Sequence, residues 1–475
     1  MSIVDSLNLT RPELILSIGA TALMLVAAWA GDKATRFSNM AAIALLFAAA
    51  ASLGGRGIAF DGLYSADAFS DFAKLLIYLA AGVAIILSPR WFEKEDRLRA
   101  EYPVLILLAA VGMGMMVSAV NLLTLYVGLE MQSLAAYVLA SFVRNDSRAS
   151  EAGLKYFVLG ALASGILLYG ISLLYGFTGS IDYAGIAASL QAEIGPGKLF
   201  GIVFVLAGLS FKIAAVPFHM WTPDVYEGAP TPVTAYFGSA PKVAAVALMV
   251  RVTVEAMGTA TNSWQQILIF TALASIVLGA IGAIGQTNIK RLLAYSSINN
   301  IGFALVGLAA GTELGVSAIM SYMAIYVLMT LGSFACVLQM RDADGNHVED
   351  IASLAGLSRR QKPLAAALAI FMFSLAGIPP LLGFWAKFLV FDAAVQAGLF
   401  PLAAIGITAS VIGAYYYLKI IKIMYFDEPA SDYAPVTSYG EASVIALTAI
   451  AVSPLGYLAI PTLAAASATA ARALF

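Results

Sequence analysis

The chain has 475 residues, of which 61% are apolar and only 11% are charged. Ordinary soluble domains carry about 25% charged residues, so this composition excludes a water-exposed fold and predicts a membrane protein. One cysteine and two histidines are too few for a four-cysteine iron–sulfur site or a structural zinc site. A net charge of −2 without a basic tract argues against a nucleic-acid partner.

Apolar runs of about 20 residues, the length that crosses a bilayer as a helix, follow one another along the whole chain. The N-terminus lacks the basic start of a cleaved signal peptide, so we interpret it as leading into a retained first span. The sequence predicts an all-α polytopic membrane protein of about 14 transmembrane helices, at 11–30, 39–55, 68–88, 103–119, 120–143, 151–177, 198–226, 231–257, 263–285, 290–309, 315–339, 363–396, 400–426 and 440–460.

The distribution of basic residues predicts the orientation of these spans, because Lys and Arg favour the cytoplasmic side. With the N-terminus outside and alternating spans, 17 of the 26 basic residues lie inside, 5 lie outside and 4 fall within spans. Both termini are therefore expected on the outer side of the membrane.

Two proline-interrupted spans indicate an internal duplication. Spans 4–8 and spans 9–13 are consecutive blocks of five, and an odd number of spans inverts the second block relative to the first. The fourth span of each block contains prolines, Pro217 in the first and Pro379 and Pro380 in the second. Two inverted five-helix repeats follow, although chance is the alternative because proline is common in membrane helices. The predicted segments are a three-span start, the two repeats and a C-terminal span with its tail, at 1–101, 102–257, 258–426 and 427–475.

Four ionisable residues lie deep in apolar runs: Glu130, Lys212, Lys242 and Lys387. A lysine at the centre of a membrane helix opposes insertion by roughly 2.5–3.5 kcal/mol, so such residues are expected in the bundle interior and in transport. One acid against three bases is a poor cation site, because hard cations need oxygen ligands. A row of lysines favours a proton relay, since buried lysines can exchange protons near neutral pH. The alternative is buried ion pairs that only fix helix packing.

The prolines predict hydrated pockets beside the lysines. A proline has no N–H, so Pro217 leaves the carbonyl of Ile213, next to Lys212, without its helical partner. The second break frees two carbonyls in the same way, those of Leu375 and Ala376. Unpaired backbone at this depth is tolerated only against protein or a water-filled cavity.

Other polar residues are weaker candidates. His219 either passes protons between Lys212 and Lys242 or bonds a freed carbonyl. Glu151 and Lys155 are either accessory relay residues or an ordinary ion pair one helical turn apart.

Span 10 and span 3 also carry polar residues. Ser296 and Asn299 either line a water wire or only join helices through hydrogen bonds. Lys74 is expected to pair with Asp71, one turn away, in a structural contact.

Four stretches together resemble one known family. They are LEMQSL around Glu130, PFHMWTPDVYEGAPTPVTAYFGSAPK at 217–242, NIKRLLAYSSINNIG at 288–302 and LAGIPPLLGFWAKF at 375–388. Over essentially its whole length the chain resembles the antiporter-like membrane subunits of respiratory complex I, the proton-pumping NADH:quinone oxidoreductase. WTPDVYEG resembles subunit N more than its two larger paralogues, and the lack of a long C-terminal lateral helix agrees.

The resemblance implies roles for the deep charges. In this family a glutamate in span 5 pairs with a lysine in span 7, here Glu130 with Lys212, and Lys242 and Lys387 continue the relay. It also implies a subunit without redox chemistry of its own. FMN, iron–sulfur clusters and the NADH and quinone sites are expected in partner subunits.

The resemblance further implies where the chain works. The expected location is a bacterial inner membrane, with both termini periplasmic. Expected partners are other complex I subunits, especially a neighbouring antiporter-like subunit and small hydrophobic membrane subunits, together with membrane lipids. Two alternatives stay open, a subunit of an Mrp-type cation/proton antiporter and a structural spacer in the membrane arm.

Overall fold

The computed structural model describes residues 2–94, 98–342, 344–430, 433 and 438–475. Within these residues the chain is helical almost throughout, as the apolar runs predict. In chain order the helices are α1 (Ile3–Leu9), α2 (Arg11–Ala30), α3 (Thr35–Ala51), α4 (Ala68–Leu87), α5 (Pro89–Lys94), α6 (Glu101–Ser118), α7 (Leu122–Ala140), α8 (Ser147–Thr178), α9 (Tyr183–Ala192), α10 (Pro196–Ile213), α11 (Trp221–Gly228), α12 (Thr231–Phe237), α13 (Ala240–Arg251), α14 (Thr261–Ile284), α15 (Ile289–Ala309), α16 (Glu313–Leu338), α17 (Leu357–Arg360), α18 (Lys362–Ala376), α19 (Leu382–Gln396), α20 (Phe400–Phe426), α21 (Tyr439–Val452) and α22 (Ile460–Arg472).

The described residues contain one small sheet, an antiparallel hairpin between α3 and α4. Its strands are β1 (Gly57–Ala59) and β2 (Tyr64–Ala66), and Ile58 lies opposite Ser65. Two strands of three residues form no layer of their own, so the architecture is all-α, as predicted.

By length and composition, eleven helical stretches among the described residues are able to cross a membrane, or twelve if α21 and α22, bent by 67°, form one broken span. The sequence predicts about two more spans than this, and the difference arises at two places in the chain. By this criterion Arg11–Ala51 is one stretch of 41 residues, whereas the sequence divides it into two spans. The predicted span 12 is divided into α18 and α19, each of 15 residues and so too short to be included.

The stretch Arg11–Ala51 is a hairpin of two packed helices. Gly19 in α2 lies against the side chain of Leu45 in α3. The chain turns between them in a 3₁₀ segment, where Gly31 has a φ of +57°, a conformation that glycine adopts without steric cost. Residues that lie similarly far on either side of this turn are therefore in contact.

Both predicted helix breaks are present. α10 ends at Ile213 and α11 begins at Trp221, with Pro217 between them. α18 ends at Ala376 and α19 begins at Leu382, with Pro379 and Pro380 between them. The α12–α13 stretch and α15 are buried along almost their whole length. The prolines at the breaks, Pro217, Pro379 and Pro380, are themselves exposed.

Candidate functional site

The first break places a lysine on a freed carbonyl. Lys242, in the first turn of α13, donates from Nζ to the carbonyl oxygen of Ile213 at 2.8 Å, and both residues are buried. This is the carbonyl that loses its helical partner at Pro217. Ile213 is the last residue of α10, where the helix dipole concentrates partial negative charge, so the helix end holds the ammonium without a carboxylate.

The second break repeats this contact. Lys387 of α19 donates from Nζ to the carbonyl of Ala376, the last residue of α18, at 3.0 Å, and to Ser410 Oγ at 3.2 Å. The ammonium also lies 4.5 Å from the ring centroid of Phe303, a cation–π distance. Each break therefore presents the end of a half-helix to one buried lysine.

Neighbouring side chains hold the first break in place. The indole N–H of Trp221 donates to the carbonyl of Phe211 at 3.0 Å, and the backbone N–H of Val216 donates to Ser275 Oγ at 2.9 Å. The indole stacks on Tyr156 with 4.4 Å between ring centroids. The Nζ of Lys242 lies 5.7 Å from the indole centroid, so Trp221 forms one wall beside this ammonium.

Lys212 is held by α7, but not through Glu130. Its Nζ donates to Ser133 Oγ at 2.7 Å and lies 3.4 Å from the Tyr137 hydroxyl. Although Glu130 lies one turn from Ser133 on the same helix, its Oε1 is buried and has no hydrogen-bond partner among the described residues. The direct pair implied by the resemblance is therefore not formed in this structure, and a serine hydroxyl occupies that place.

His219 lies in the first break without a bond to either lysine. Its imidazole is half-buried, and its Nδ1 is enclosed without a hydrogen-bond partner among the described residues. Lys242 reaches the helix end directly, so the link from Lys212 to Lys242 through His219 stays a prediction.

The polar residues of α15 form a hydroxyl cluster with α16 and α20. Ser296 Oγ lies 2.5 Å from the Tyr417 hydroxyl, and Tyr322 donates to Asn300 Oδ1 at 2.7 Å. Asn300 joins the two pairs, because its Nδ2 donates to the carbonyl of Ser296 at 2.8 Å. Asn299 differs: it donates to the carbonyl of Ile276 in α14 at 2.7 Å, which is the interhelical alternative.

A small cavity of about 10 Å³ lies beside this cluster. Hydroxyls of Ser296, Ser297 and Tyr326 line it, and its wall reaches Tyr226 in α11 and Leu375 in α18. That volume is close to the minimum for one water molecule, and the polar lining supplies partners for it. The cavity therefore bridges the helix after the first break and the helix before the second.

Comparison with known proteins identifies the family. Residues 119–413, more than half of the chain, match the family described as "NADH:quinone oxidoreductase/Mrp antiporter, TM". The chain belongs to this family. The matched range contains both breaks and all four deep charged residues.

Individual members of the family are similar to the chain over essentially its whole length. The NADH-quinone oxidoreductase subunit N of Rhizorhabdus wittichii is 67% identical over 481 residues, with 100% of each chain covered. A chain of respiratory complex I from Thermus thermophilus with bound aureothin is 33% identical, with a TM-score of 0.82 over 95% of this chain and 99% of that chain. A chain of the Mrp complex from Dietzia sp. has a TM-score of 0.85 over 100% of this chain and 98% of that chain, at 22% identity. The predicted resemblance to subunit N is confirmed, and the Mrp chain shares the fold.

Motifs that identify this family also carry an ionic cluster at the end of the bundle where basic residues concentrate. Lys155 pairs with Glu151 at 2.8 Å, as predicted, and also with Asp224 of the WTPDVYEG stretch at 2.8 Å. Arg291 contacts the other Asp224 oxygen at 2.6 Å. Both oxygens of this carboxylate are therefore paired with a basic side chain. Asp224 thus joins α8, α11 and α15.

A second carboxylate, Glu349 in the loop after α16, joins the same end of the bundle. It contacts Lys290 at 2.9 Å and Arg148 at 3.0 Å, and it accepts a hydrogen bond from Asn288 at 3.0 Å. Burial raises the pKa of Glu349, but these partners lower it to about 2. The loop is therefore fixed to α8 and α15 by a stable carboxylate.

The predicted pair of Lys74 with Asp71 is wrong. Lys74 is buried and contacts Glu13 of α2 at 2.7 Å and the Tyr64 hydroxyl at 2.5 Å, while Asp71 pairs with Arg56. The helix turns Lys74 inward, toward a carboxylate that only tertiary packing brings near. In sequence, Glu13 follows Pro12 in the first turn of α2, where an acid is an ordinary partner of the helix dipole.

Proposed function

We propose that this chain translocates protons as the N-type, antiporter-like membrane subunit of a proton-pumping NADH:quinone oxidoreductase. The family membership and the identity to named subunits N support this assignment. The observation that carries the mechanism is the repeated contact between a buried lysine and the end of a half-helix, Lys242 with Ile213 and Lys387 with Ala376.

A lysine in this position suits a relay because dipoles, and not a full negative charge, hold its proton. The end of a helix carries about half an elementary charge. A unit charge that approaches to about 4 Å changes the energy of such an ammonium by about 4 kcal/mol at an effective dielectric constant of about 20. A change of charge at one residue is thus sufficient to move the proton of the next.

We propose that protons pass from Lys212 to Lys242, then through the hydroxyl cluster of α15, and on to Lys387. Lys212 directly precedes Ile213, whose carbonyl binds Lys242, so the end of α10 connects the two lysines. Glu130 controls the start: its approach holds the proton on Lys212, and its withdrawal sends the proton onward. Redox chemistry elsewhere in the complex changes these charges. His219, Glu151 and Lys155 are accessory positions in this proposal.

The same proposal includes the transmembrane arrangement. The chain crosses the membrane fourteen times and contains two inverted five-helix repeats, with segments at 1–101, 102–257, 258–426 and 427–475. The α2–α3 hairpin and the similar breaks at Pro217 and Pro379 support this arrangement. Both termini lie on the periplasmic side of a bacterial inner membrane, as the basic residues indicate.

The redox groups belong to partner subunits in this proposal. A single cysteine cannot supply the ligands of an iron–sulfur cluster, so FMN and the clusters lie elsewhere in the complex and this subunit carries out no electron transfer. Its neighbours are another antiporter-like subunit and small hydrophobic membrane subunits, in contact with membrane lipids.

The test uses the assembled complex in proteoliposomes. Lys212→Met, Lys242→Met and Lys387→Met should each lower NADH-driven proton uptake severalfold, because each removes one relay position. Lys198→Met is the matched control: its ammonium also binds backbone carbonyls, those of Ser189 and Glu193, but at the outer end of α10. It should pump normally.

Other outcomes decide against the proposal. Unchanged pumping after neutralisation of Glu130 and all three lysines would establish the structural spacer instead. Sodium transport by a complex that lacks flavin and iron–sulfur subunits would establish the Mrp-type antiporter.

A further inference from the structure

A cleft of about 570 Å³ opens beside the loop that joins α7 to α8. It lies at the end of the bundle where basic residues concentrate, which the sequence predicts to be the inner side. The proton relay described above does not use it. Its lining combines an apolar part, called the floor here, with a charged part, called the rim, and this combination indicates its ligand. The floor comprises Leu105, Val138 and Phe142, and the rim comprises Arg99, Glu101, Arg144 and Asn145.

The floor of the cleft is apolar and belongs to the ends of two spans. Leu105 lies in the first helical turns of α6 and Val138 in the last turn of α7, where Val138 is 51% exposed. Phe142 continues this surface, and its ring is fixed edge-to-face against Phe92 and Tyr102. Apolar side chains at the end of a span face hydrocarbon, so this floor accommodates an acyl chain.

The rim of the cleft carries a guanidinium without a partner. Arg144 is exposed, and its side chain makes no hydrogen bond, ion pair or ring contact with any residue that the structure describes. Arg99 also lines the rim, where it pairs with Asp32 at 2.6 Å in a contact that is about half exposed at both ends. Exposed pairs of this kind exchange partners readily. Among the described residues that line the cleft, Glu101 is the acid, and Asn145 adds a side-chain amide.

We propose that this cleft binds an anionic phospholipid of the inner leaflet. Arg144 binds the phosphate, Arg99 supplies a second positive charge, and an acyl chain covers Leu105 and Val138. Guanidinium groups bind phosphate oxygens in a bidentate manner, and basic pockets between helices on the cytoplasmic side recognise anionic headgroups. A free phosphate ion gains nothing from the apolar floor, and a zwitterionic lipid gains less from the unpaired arginine.

The position of the cleft connects the lipid to the helix that starts the relay. Val138 directly follows Tyr137, whose hydroxyl lies 3.4 Å from Lys212 Nζ. Ser133 and Glu130 lie one and two turns before Tyr137 in α7. A lipid wedged between α6 and the end of α7 therefore supports the helix that holds Lys212.

The test uses photoactivatable phosphatidylglycerol in nanodiscs that contain the assembled complex. Cross-links mapped by mass spectrometry should fall on residues 138–145. Arg144→Gln should lower this labelling about fivefold, the effect of one basic residue near an anionic surface, and Arg144→Lys should retain most of it. Arg359→Gln is the matched control, because Arg359 lies at the same end of the bundle, pairs with Glu428 at 3.1 Å and does not line the cleft.

A second variant tests the floor without changing charge. Val138→Trp fills the apolar part of the cleft and should also lower labelling, while the complex remains assembled. Excess phosphatidylglycerol should compete, and phosphatidylcholine or inorganic phosphate should not. Equal labelling by photoactivatable phosphatidylcholine, full labelling of Arg144→Gln, competition by phosphate alone, or a polypeptide of another subunit found in the cleft would each overturn the proposal.

Discussion

Lys387 and Ala376 lie on opposite sides of the second helix break, and the ammonium of the first bonds to the carbonyl of the second at 3.0 Å. Lys242 makes the same contact with Ile213 at the first break, but from a different place in the chain. At the second break the lysine lies in the other half of the same broken span, whereas at the first it comes from the next span. The two breaks thus share the bond from a lysine to the end of a helix, but they differ in which span supplies the lysine.

Gly377→Ala should disturb the second contact. Gly377 has a φ of +84°, and a Cβ there would lie 2.9 Å from Lys387 Cδ and 3.3 Å from its Nζ. We expect the lysine side chain to move away from Ala376, with a severalfold loss of proton pumping in proteoliposomes. Gly398→Ala separates the steric effect on Lys387 from the effect of backbone strain, since Gly398 has a φ of +79° and open space around it. Both variants introduce backbone strain of about 1–2 kcal/mol. Equal pumping by both would contradict the role of the contact.

Ser133→Ala should weaken the relay at Lys212. The variant removes the nearest hydrogen-bond partner of the ammonium, and hydrogen bonds to charged groups contribute about 1.5–3 kcal/mol. We expect roughly a tenfold loss of pumping at saturating NADH, and Ser133→Thr should retain most activity. Ser164→Ala serves as the comparison, because this buried hydroxyl of α8 has no partner among the described residues. Normal pumping by Ser133→Ala would show that Lys212 does not depend on this hydroxyl.

Ser275→Ala should loosen the first break. Its Oγ accepts the backbone N–H of Val216, and a buried donor left unsatisfied costs about 1–3 kcal/mol. Hydrogen–deuterium exchange of residues 214–220 should become roughly tenfold faster or more. Thr271→Val, one turn earlier in α14, removes a hydroxyl that among the described residues bonds only its own helix, and it should leave residues 214–220 unchanged. Exchange as slow as in the wild type would mean that other contacts hold the break.

The loop that carries Glu349 should lose its anchor in acid. Burial raises the pKa of this carboxyl, but Lys290 and Arg148 outweigh it, so the folded value of about 2 lies below the ordinary 4.5. The stabilisation, on the order of 3 kcal/mol, is complete above the ordinary pKa and disappears as the pH falls toward the folded pKa. Hydrogen exchange at Ile289 and Ile351, compared between wild type and Glu349→Gln, should differ at neutral pH and converge near the folded pKa. Glu428→Gln, at an exposed acid, should match the wild type throughout, and a pH-independent difference would refute this account.

Local chemistry was sufficient to predict several parts of the site. Both breaks follow from the missing N–H of proline, and the burial of Lys242 and Lys387 follows from the cost of a charge in hydrocarbon, whereas Lys212 is half-buried. The pair of Glu151 with Lys155 follows from helix periodicity. Each of these inferences needs only residues within one or two turns of each other.

Contacts between distant segments were beyond the same reasoning. The sequence identified the free carbonyl of Ile213 but not its donor, Lys242, which lies 29 residues away. It paired Lys74 with Asp71 because Glu13 reaches that lysine only through tertiary packing, in which α2 and α4 both pack against α3 and α6. The pair of Glu130 with Lys212 was implied by the family resemblance alone, and in the structure Ser133 bonds that lysine. Complementary charge limits which groups are able to bind a lysine, and the packing of the helices determines which of these groups does so.

In the proposed relay, the contact between Lys242 and Ile213 both carries a proton and joins two helices, because the bond that holds the ammonium also ties α13 to the end of α10. Hydrogen bonds from a charged donor are roughly twice as strong as those from a neutral one. In that relay, departure of the proton weakens the bond between α13 and α10 and moves charge at the same time. Proton transfer and weakening of this contact are then one event. The bond between Lys242 and Ile213 should weaken and re-form once in every turnover.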